Sequence, residues 1–221
     1  MTTISLDGVL LRPDVSGALV WDDERTVIVA DLHFEKASSF ARRGQPLPPY
    51  DTAATLSLLG ELFARVDPAR VICLGDSFHD PIAAAGMPSL FAARLTDLMA
   101  GREWIWVTGN HDREIPAERG GVVKSEIEIG PLAFRHEASN RDGFEISGHF
   151  HPKATILARG RAVTRPCFIY DHRRVILPAF GAFTGGLNIT DAAIARQFGR
   201  TFGIALVGRN KLHWFASTAL A

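Results

Sequence analysis

Cysteine is scarce in this sequence, with only Cys73 and Cys167 among 221 residues. Both lie inside apolar runs typical of strands, "VICLG" and "CFIY", so we expect buried free thiols rather than a disulfide. With so few thiols, a structural zinc site built on cysteine is not expected either. A reducing cytoplasm fits this composition.

An excess of charge and long apolar runs are also missing. Lysine plus arginine equal aspartate plus glutamate at 24 each, so no global basic field attracts nucleic acid, although a local patch remains open. No apolar run is long enough to span a bilayer, and the N-terminus lacks the features of a secretory signal. Without linkers, repeats or low-complexity segments, residues 1–221 are expected to form one domain.

The first half of the sequence has an alternating pattern. Three apolar runs that end in polar residues, "TVIVADLH", "RVICLGDSFHD" and "EWIWVTGNHD", are typical of buried strands. Between them, "YDTAATLSLLGELFARV" and "PSLFAARLTDLMAG" have helical spacing. This order predicts parallel strands with right-handed crossovers, which bring the three polar ends to one edge of a sheet.

The second half has a different texture. Short strand-like runs such as "EISGHFHPKATILARG" and "RRVILPAFG" are separated by glycine, proline and turn residues, which predicts antiparallel strands. Helical spacing returns only in "DAAIARQFGR", before two terminal strand-like runs, "FGIALVGRN" and "KLHWFA". The whole pattern therefore predicts two sheets in one α/β domain.

Acids, histidines and one asparagine cluster at these strand ends. They are Asp31, His33, Asp76, His79, Asp80, Asn110, His111, Asp112, His136, His149 and His151. Singly, each has an ordinary alternative, such as a helix cap, a turn residue or an edge histidine. Burying them together is costly without a countercharge, which divalent metal ions supply. Imidazole, carboxylate and amide ligands suit manganese, iron or zinc, and two ions explain the number of ligands.

Four motifs in this order, "ADLH", "GDSFHD", "GNHD" and "GHFH", with His136 before the last, resemble those of the calcineurin-like metallophosphoesterases. The resemblance spans Asp31 to His151 and implies an αββα sandwich, two mixed sheets flanked by helices. It also implies two divalent ions, with manganese expected first and iron or zinc as alternatives. The implied ligands are Asp31, His33, Asp76 and His151 for one ion, and Asp76, Asn110, His136 and His149 for the other, with Asp76 shared.

The resemblance further implies a hydrolytic mechanism and catalytic roles. A hydroxide on the metals attacks phosphorus in line, without a protein nucleophile. His111 corresponds to the family's catalytic histidine, and Asp112 is expected to fix its tautomer and orientation. His79 contacts either a substrate phosphate or a metal ligand. Asp80 supports the site or is a solvated turn residue.

Flanking segments, "ADLHFEKASSFARRGQPLPPYDT", "WIWVTGNHD" and "LPAFGAFTGGLNI", resemble the bacterial ligase-associated metallophosphoesterases of the DNA-damage response. This implies a single-stranded DNA endonuclease in DNA repair, with a helicase and a DNA ligase as partners. Lys36, Arg42 and Arg43 are candidates for gripping phosphates, and Tyr50 or Phe40 for stacking on a base. The same residues also fit a solvated loop.

Two other functions remain open. A small-molecule phosphatase or cyclic-nucleotide phosphodiesterase would use the same ligands, because the motifs do not select the substrate. A non-catalytic scaffold, like the retromer subunit that shares the fold, is a third possibility. His111 and the full ligand set count against the scaffold.

Overall fold

Two β-sheets packed face to face, with helices outside them, form the centre of the computed structural model, which describes residues 2–139, 141–158 and 160–217. This is the α/β, αββα arrangement expected from the sequence, and that expectation is confirmed. Among the described residues, no helix combines the length and the apolar character needed to cross a membrane.

The first sheet contains the strands that lead into the clustered polar residues. Its strands, in spatial order, are β1 (Ile4–Leu6), β2 (Val9–Pro13), β3 (Leu19–Trp21), β4 (Thr26–Val29), β5 (Arg70–Leu74), β6 (Glu103–Val107) and β7 (Val122–Lys124). The pairs from β4 to β7 are parallel, as the alternating pattern predicts. The pairs from β1 to β4 are antiparallel and extend the sheet.

Helices cover one face of this sheet. They are α1 (Lys36–Arg42), α2 (Asp51–Val66), α3 (Pro81–Gly86) and α4 (Ser89–Met99), with a 3₁₀ turn at Ala117–Arg119. Leu56, Leu59 and Leu62 of α2 pack into the core on this face. Lys36 and Arg42 lie in α1 and Arg43 is its C-cap, so the alternative that these residues belong to a solvated loop is wrong for this segment.

The second sheet is mixed. Its order is β15 (Leu212–Ala216), β14 (Gly203–Val207), β12 (Arg161–Tyr170), β13 (Arg174–Ile176), β10 (Phe144–Ser147), β9 (Leu132–Arg135) and β8 (Glu126–Ile129), while β11 (Lys153–Ala158) pairs with β12 alone. The outer pairs are antiparallel as predicted, but β10 runs parallel to both β9 and β13. The two mixed sheets implied by the resemblance are thus confirmed, whereas the antiparallel texture of the second half does not extend to the pairs that β10 makes.

Strand alternation divides the core into layers. Val27 and Val29 face the helices, whereas Ile28 faces the second sheet, because neighbouring side chains on a strand point to opposite faces. A third cluster lies between the second sheet and α5 (Ala192–Ala195). Cys73 and Cys167 are buried free thiols in these layers, as expected, and burial raises the pKa of Cys167 to about 12.

Candidate metal centre

The polar strand ends of both sheets converge at one edge of the sandwich. Asp31, Asp76 and Asn110 follow β4, β5 and β6, while His136 and His149 follow β9 and β10. Backbone hydrogen bonds hold the loops together: the N–H of residue 33 donates to the Asp76 carbonyl at 2.9 Å, and that of residue 148 to the His136 carbonyl at 2.9 Å. The convergence therefore results from the parallel strand order.

The side chains form two groups that face each other. The first group is Asp31, His33 and His151, and the second group is Asp76, His136 and His149, with candidate ligand atoms lying within 4.8 Å of one another in each. Asn110 extends the second group, since its Oδ1 lies 3.0 Å from His136 Nε2. The structure thus brings together all seven residues that the sequence predicts as ligands.

The donor atoms fit divalent cations. Asp31 Oδ1 is buried without a hydrogen-bond partner, and His151 Nε2 lies 3.2 Å from it. His149 Nδ1 lies 3.0 Å from His136 Nε2, and the Nε2 atoms of His33 and His151 are 3.5 Å apart. Ligands bound at roughly 2.0 to 2.2 Å in tetrahedral or octahedral geometry are about 2.8 to 3.6 Å apart. Facing nitrogens at these distances need a proton or a cation between them.

Main-chain carbonyls select the tautomers of two rings. His136 Nδ1 donates to the Leu74 carbonyl at 2.9 Å, and His111 Nδ1 donates to the His79 carbonyl at 2.8 Å. Because a carbonyl only accepts, each Nδ1 carries the proton. His136 therefore turns the lone pair of Nε2 towards the second group, and His111 keeps Nε2 free for chemistry.

Burial and neighbouring charges shift the pKa values of several residues in the site. Burial lowers the pKa of His33 to about 2, and the charge of His151 acts in the same direction. Burial opposes a charge on His136 too, but the hydrogen bond with Asp76 outweighs it and raises the pKa of His136 to about 9. Burial works against ionisation of Asp76, yet the contact with His136 lowers the pKa of that carboxyl. A proton on His136 thus fills the role that a cation would take.

The backbone at the candidate ligands is strained. Asp31, His33, Asp76, His149 and His151 all have left-handed φ values, between 46° and 70°. This conformation costs a residue with a Cβ about 1 to 2 kcal/mol, and such strain is concentrated at functional sites. The contacts around the strand ends must hold these five residues in place.

Two glycines allow the loops to approach the carboxylates. A Cβ on Gly148 would lie 2.5 Å from Asp31 Oδ2, and a Cβ on Gly109 would collide with Asp76 Oδ1. Both glycines belong to sequence motifs of the site. Their contribution is steric, because only a hydrogen on Cα leaves room for the carboxylate.

Asp112 lies against backbone N–H groups and not against the His111 ring, where we expected it from the sequence. It is 0% exposed, and its two oxygens accept backbone N–H groups from residues 76, 77, 78 and 109 at 2.6 to 3.2 Å. The prediction that Asp112 fixes the His111 ring is wrong, because the His79 carbonyl holds that ring. Burial raises the pKa of Asp112 to about 6, against the effect of these donors. The carboxyl group joins the loop after β5 to the loop after β6.

His79 lies inside the site rather than on its rim. Its ring stacks on that of His111, with centroids 5.0 Å apart, and its Nδ1 is 3.5 Å from His33 Nδ1. Burial, reinforced by the charge of His111, lowers the pKa of His79 to about 4. Of the two alternatives, the geometry favours contact with a metal ligand over contact with a substrate phosphate.

The two arginines at the C-terminal end of α1 differ in their contacts. Arg42 donates to both oxygens of Asp80 at 2.9 Å, and Asp80 also accepts the N–H of Ala83 and caps α3. Asp80 is therefore neither a solvated turn residue nor a contact of the metal ligands. The Arg43 side chain is 63% exposed and only reaches Asp80 at 3.9 Å. Arg42 is committed to the contact between α1 and α3, which leaves Arg43 available to a substrate.

Two lysines border the first group. Burial lowers the pKa of Lys36, and the charge of Lys153 lowers it further against the opposing charge of Asp51. Within the described parts of the chain, neither ammonium has a carboxylate partner within 4.0 Å. Sequence reasoning named Lys36 but missed Lys153, although it lies two residues after His151.

The chain matches one family model and resembles several solved structures. The family model described as calcineurin-like phosphoesterase matches residues 24–187. A crystal structure of the Pseudomonas putida nuclease MPE is 31% identical, with a TM-score of 0.74 over 96% of this chain and 99% of that chain. Yfce, a phosphoesterase from E. coli, is 14% identical, with a TM-score of 0.43 over 89% of this chain and 99% of that chain. No curated protein matches the sequence.

Proposed function

Because the chain belongs to the calcineurin-like phosphoesterase family, we propose that it is a phosphodiesterase that uses two divalent metal ions to cleave internal bonds of single-stranded DNA. The observation that carries the proposal is the pair of facing ligand groups around Asp31 and Asp76. The similarity to a nuclease, P. putida MPE, supports a nucleic acid as the substrate. A role in DNA repair belongs to the same proposal and follows from the motif resemblance.

The ligand geometry supports the following assignment of residues to ions. Asp31, His33, Asp76 and His151 would hold one ion, and Asp76, Asn110, His136 and His149 would hold the other. Nitrogen and oxygen ligands without cysteine suit manganese first, with iron or zinc as alternatives. When bound, the ions supply positive charge that neutralises the phosphate and lowers the pKa of a water molecule.

His111 would act on the leaving oxygen. Its Nδ1 proton is held by the His79 carbonyl, so Nε2 is the ring nitrogen that would bind a proton and deliver it. That proton can pass to the oxygen that departs from phosphorus, which stabilises the developing charge. Asp112 would contribute indirectly, by accepting the N–H groups of Asp76 and Gly109 and so fixing the loops that carry Asp76 and His111.

Binding of DNA would depend on local charge, since the chain has no net charge. Arg43 is exposed next to the site and can contact a backbone phosphate. A helicase and a DNA ligase, the partners implied by the motif resemblance, would add affinity. Such partners would explain how a chain without net charge finds its substrate.

Cleavage of a closed substrate tests the proposal. Single-stranded DNA circles and a small aryl phosphodiester are incubated with the protein and manganese, with Asp76→Ala as the inactive control. We expect nicking of the circle by the parent protein alone. If the parent hydrolyses the aryl ester but leaves the circle intact, the metal mechanism stands and DNA is the wrong substrate, which would favour a small-molecule phosphodiesterase. If neither is cleaved, the proposal fails.

A further inference from the structure

Two aromatic side chains form an exposed corner next to the first group. Tyr50 precedes α2 and is 56% exposed, and Phe183 is 40% exposed in the glycine-rich loop that follows the second sheet's central strands. Their ring centroids are 5.1 Å apart with an interplanar angle of 60°. Among the exposed large apolar side chains of the described ranges, these two are the aromatic ones. Burial in the core therefore does not account for the position of either ring.

The backbone of Phe183 strengthens this point. Its φ is 57°, a left-handed value that is costly for a bulky side chain. A strained residue with an exposed ring gains little folding free energy from hydrophobic burial. Strain of this kind is found where a side chain must be presented in one direction, so the position of the ring calls for a ligand rather than a core contact.

The loop that carries Phe183 is fixed to the candidate metal ligands. The N–H of Gly181 donates to the Asp31 carbonyl at 3.2 Å, and the N–H of Ala182 donates to Thr55 Oγ1 of α2 at 3.1 Å. Further along, the Lys153 ammonium donates to the Thr184 carbonyl at 3.3 Å. The aromatic corner is thus held in a constant relation to the first group.

Positive charge accompanies the corner. Lys153 contacts the same loop, and Lys36, whose pKa responds to Lys153, lies over the Phe40 ring at 5.8 Å. Neither lysine has a carboxylate partner in the described ranges, so both ammonium groups are available to anions. Aromatic faces next to unpaired cations are the elements that bind single-stranded nucleic acid, through base stacking and phosphate contacts.

We propose that Tyr50 and Phe183 form a stacking platform for one unpaired base of a single-stranded nucleic acid, with Lys36 and Lys153 binding its flanking phosphates. This inference rests on the proposed function and specifies how the site would contact one nucleotide of the substrate. It also predicts a preference for single strands, because a base in a duplex has no free face to stack on the corner. The platform is separate from the residues that perform the reaction.

Binding to two matched strands tests the platform. The probes are a fluorescent 12-nucleotide single-stranded DNA and a strand of the same length in which every position lacks its base. Anisotropy is measured with metal-loaded, full-length protein in which every version, the parent included, carries His111→Ala, so that cleavage is slowed while the metal ions stay bound. The variants are Phe183→Ala and Phe183→Leu, with Leu157→Ala as a control for loss of an exposed apolar side chain elsewhere. Circular dichroism checks that each variant is folded.

We expect the parent to bind the normal strand more tightly than the baseless strand. Phe183→Ala should weaken binding to the normal strand about tenfold or more, the range of base stacking, and leave the baseless strand unchanged. Phe183→Leu should weaken binding to the normal strand by a similar factor, whereas Leu157→Ala should leave that binding unchanged. Equal loss on both strands, no loss on either, or equal affinity of the parent for both strands would overturn the platform.

This result is independent of catalysis. Metal-dependent nicking by a protein without a Phe183 effect on binding would keep the proposed function and remove the platform. Conversely, base-dependent binding through Phe183 without any nicking would keep the platform and reject the nuclease activity. The two proposals therefore fail separately.

Discussion

Replacing Asp112 with alanine removes the carboxylate that joins the loops after β5 and β6. Four backbone N–H groups, those of residues 76, 77, 78 and 109, lose their acceptor. An unpaired buried donor costs about 1 to 3 kcal/mol, so the loss is at least about 4 kcal/mol. For a chain of this length, that corresponds to a fall in Tm of roughly 8 to 16 °C. Because Asp76 is one of the displaced residues, metal content should fall as well.

A graded series makes this test more specific. Asp112→Asn keeps one acceptor oxygen and the side-chain shape but turns its NH2 group towards two N–H donors, so we expect at least half the loss in Tm. Asp171→Ala serves as the control, since Asp171 accepts the N–H groups of Arg173 and Arg174 in a turn. It should cost about 1 kcal/mol and leave metal content unchanged. Tm is measured by differential scanning fluorimetry and metal by mass spectrometry. A fall below about 2 °C for Asp112→Ala, with full metal content, would refute the reasoning.

Three further predictions follow from the site. His111→Ala should retain the metal ions while turnover falls by about two orders of magnitude, and loss of metal would show that His111 is structural. Gly148→Ala should reduce metal binding, because its Cβ would lie 2.5 Å from Asp31 Oδ2, whereas Gly86→Ala, with no atom within 4 Å, should behave as the parent. In EDTA-treated protein, the raised pKa of His136 stabilises the fold fully below its unfolded value of 6.5, and this contribution is lost as the pH rises towards 9. The Tm of the parent should therefore decline over that range relative to His136→Gln, and parallel curves would contradict the assignment.

The alternating half of the fold and the candidate ligands could be predicted from the sequence. Continuous apolar runs such as Thr26–Val29 mark buried parallel strands, and the residues after them must share an edge of the sheet. The helix over Asp51–Val66 was predicted from its spacing to within a residue. The strands and the helix are local features, so periodicity is enough to reveal them, whereas the assignment of ligands to two ions came from the motif resemblance.

Other parts depend on contacts between distant segments. Helix α1 has seven residues and starts after a left-handed Glu35 without a side-chain cap, so it gives no clear helical signal. The parallel pairing of β10 with β9 and β13 is decided by how the loops return across the sheet. The position of Asp112 also escaped prediction, because its four partners come from two loops that meet only in the folded chain.

The left-handed residues at the ligand positions make the stability of the folded protein depend on the supply of metal. Each adds strain that a bound cation can offset, so we expect the metal-free chain to unfold more readily than the loaded one. An ion present at a thousand times its Kd adds about 4 kcal/mol to stability. Since unfolded chains are removed by proteases, the amount of this protein in a cell should decrease when metal is scarce, without any regulator of its gene.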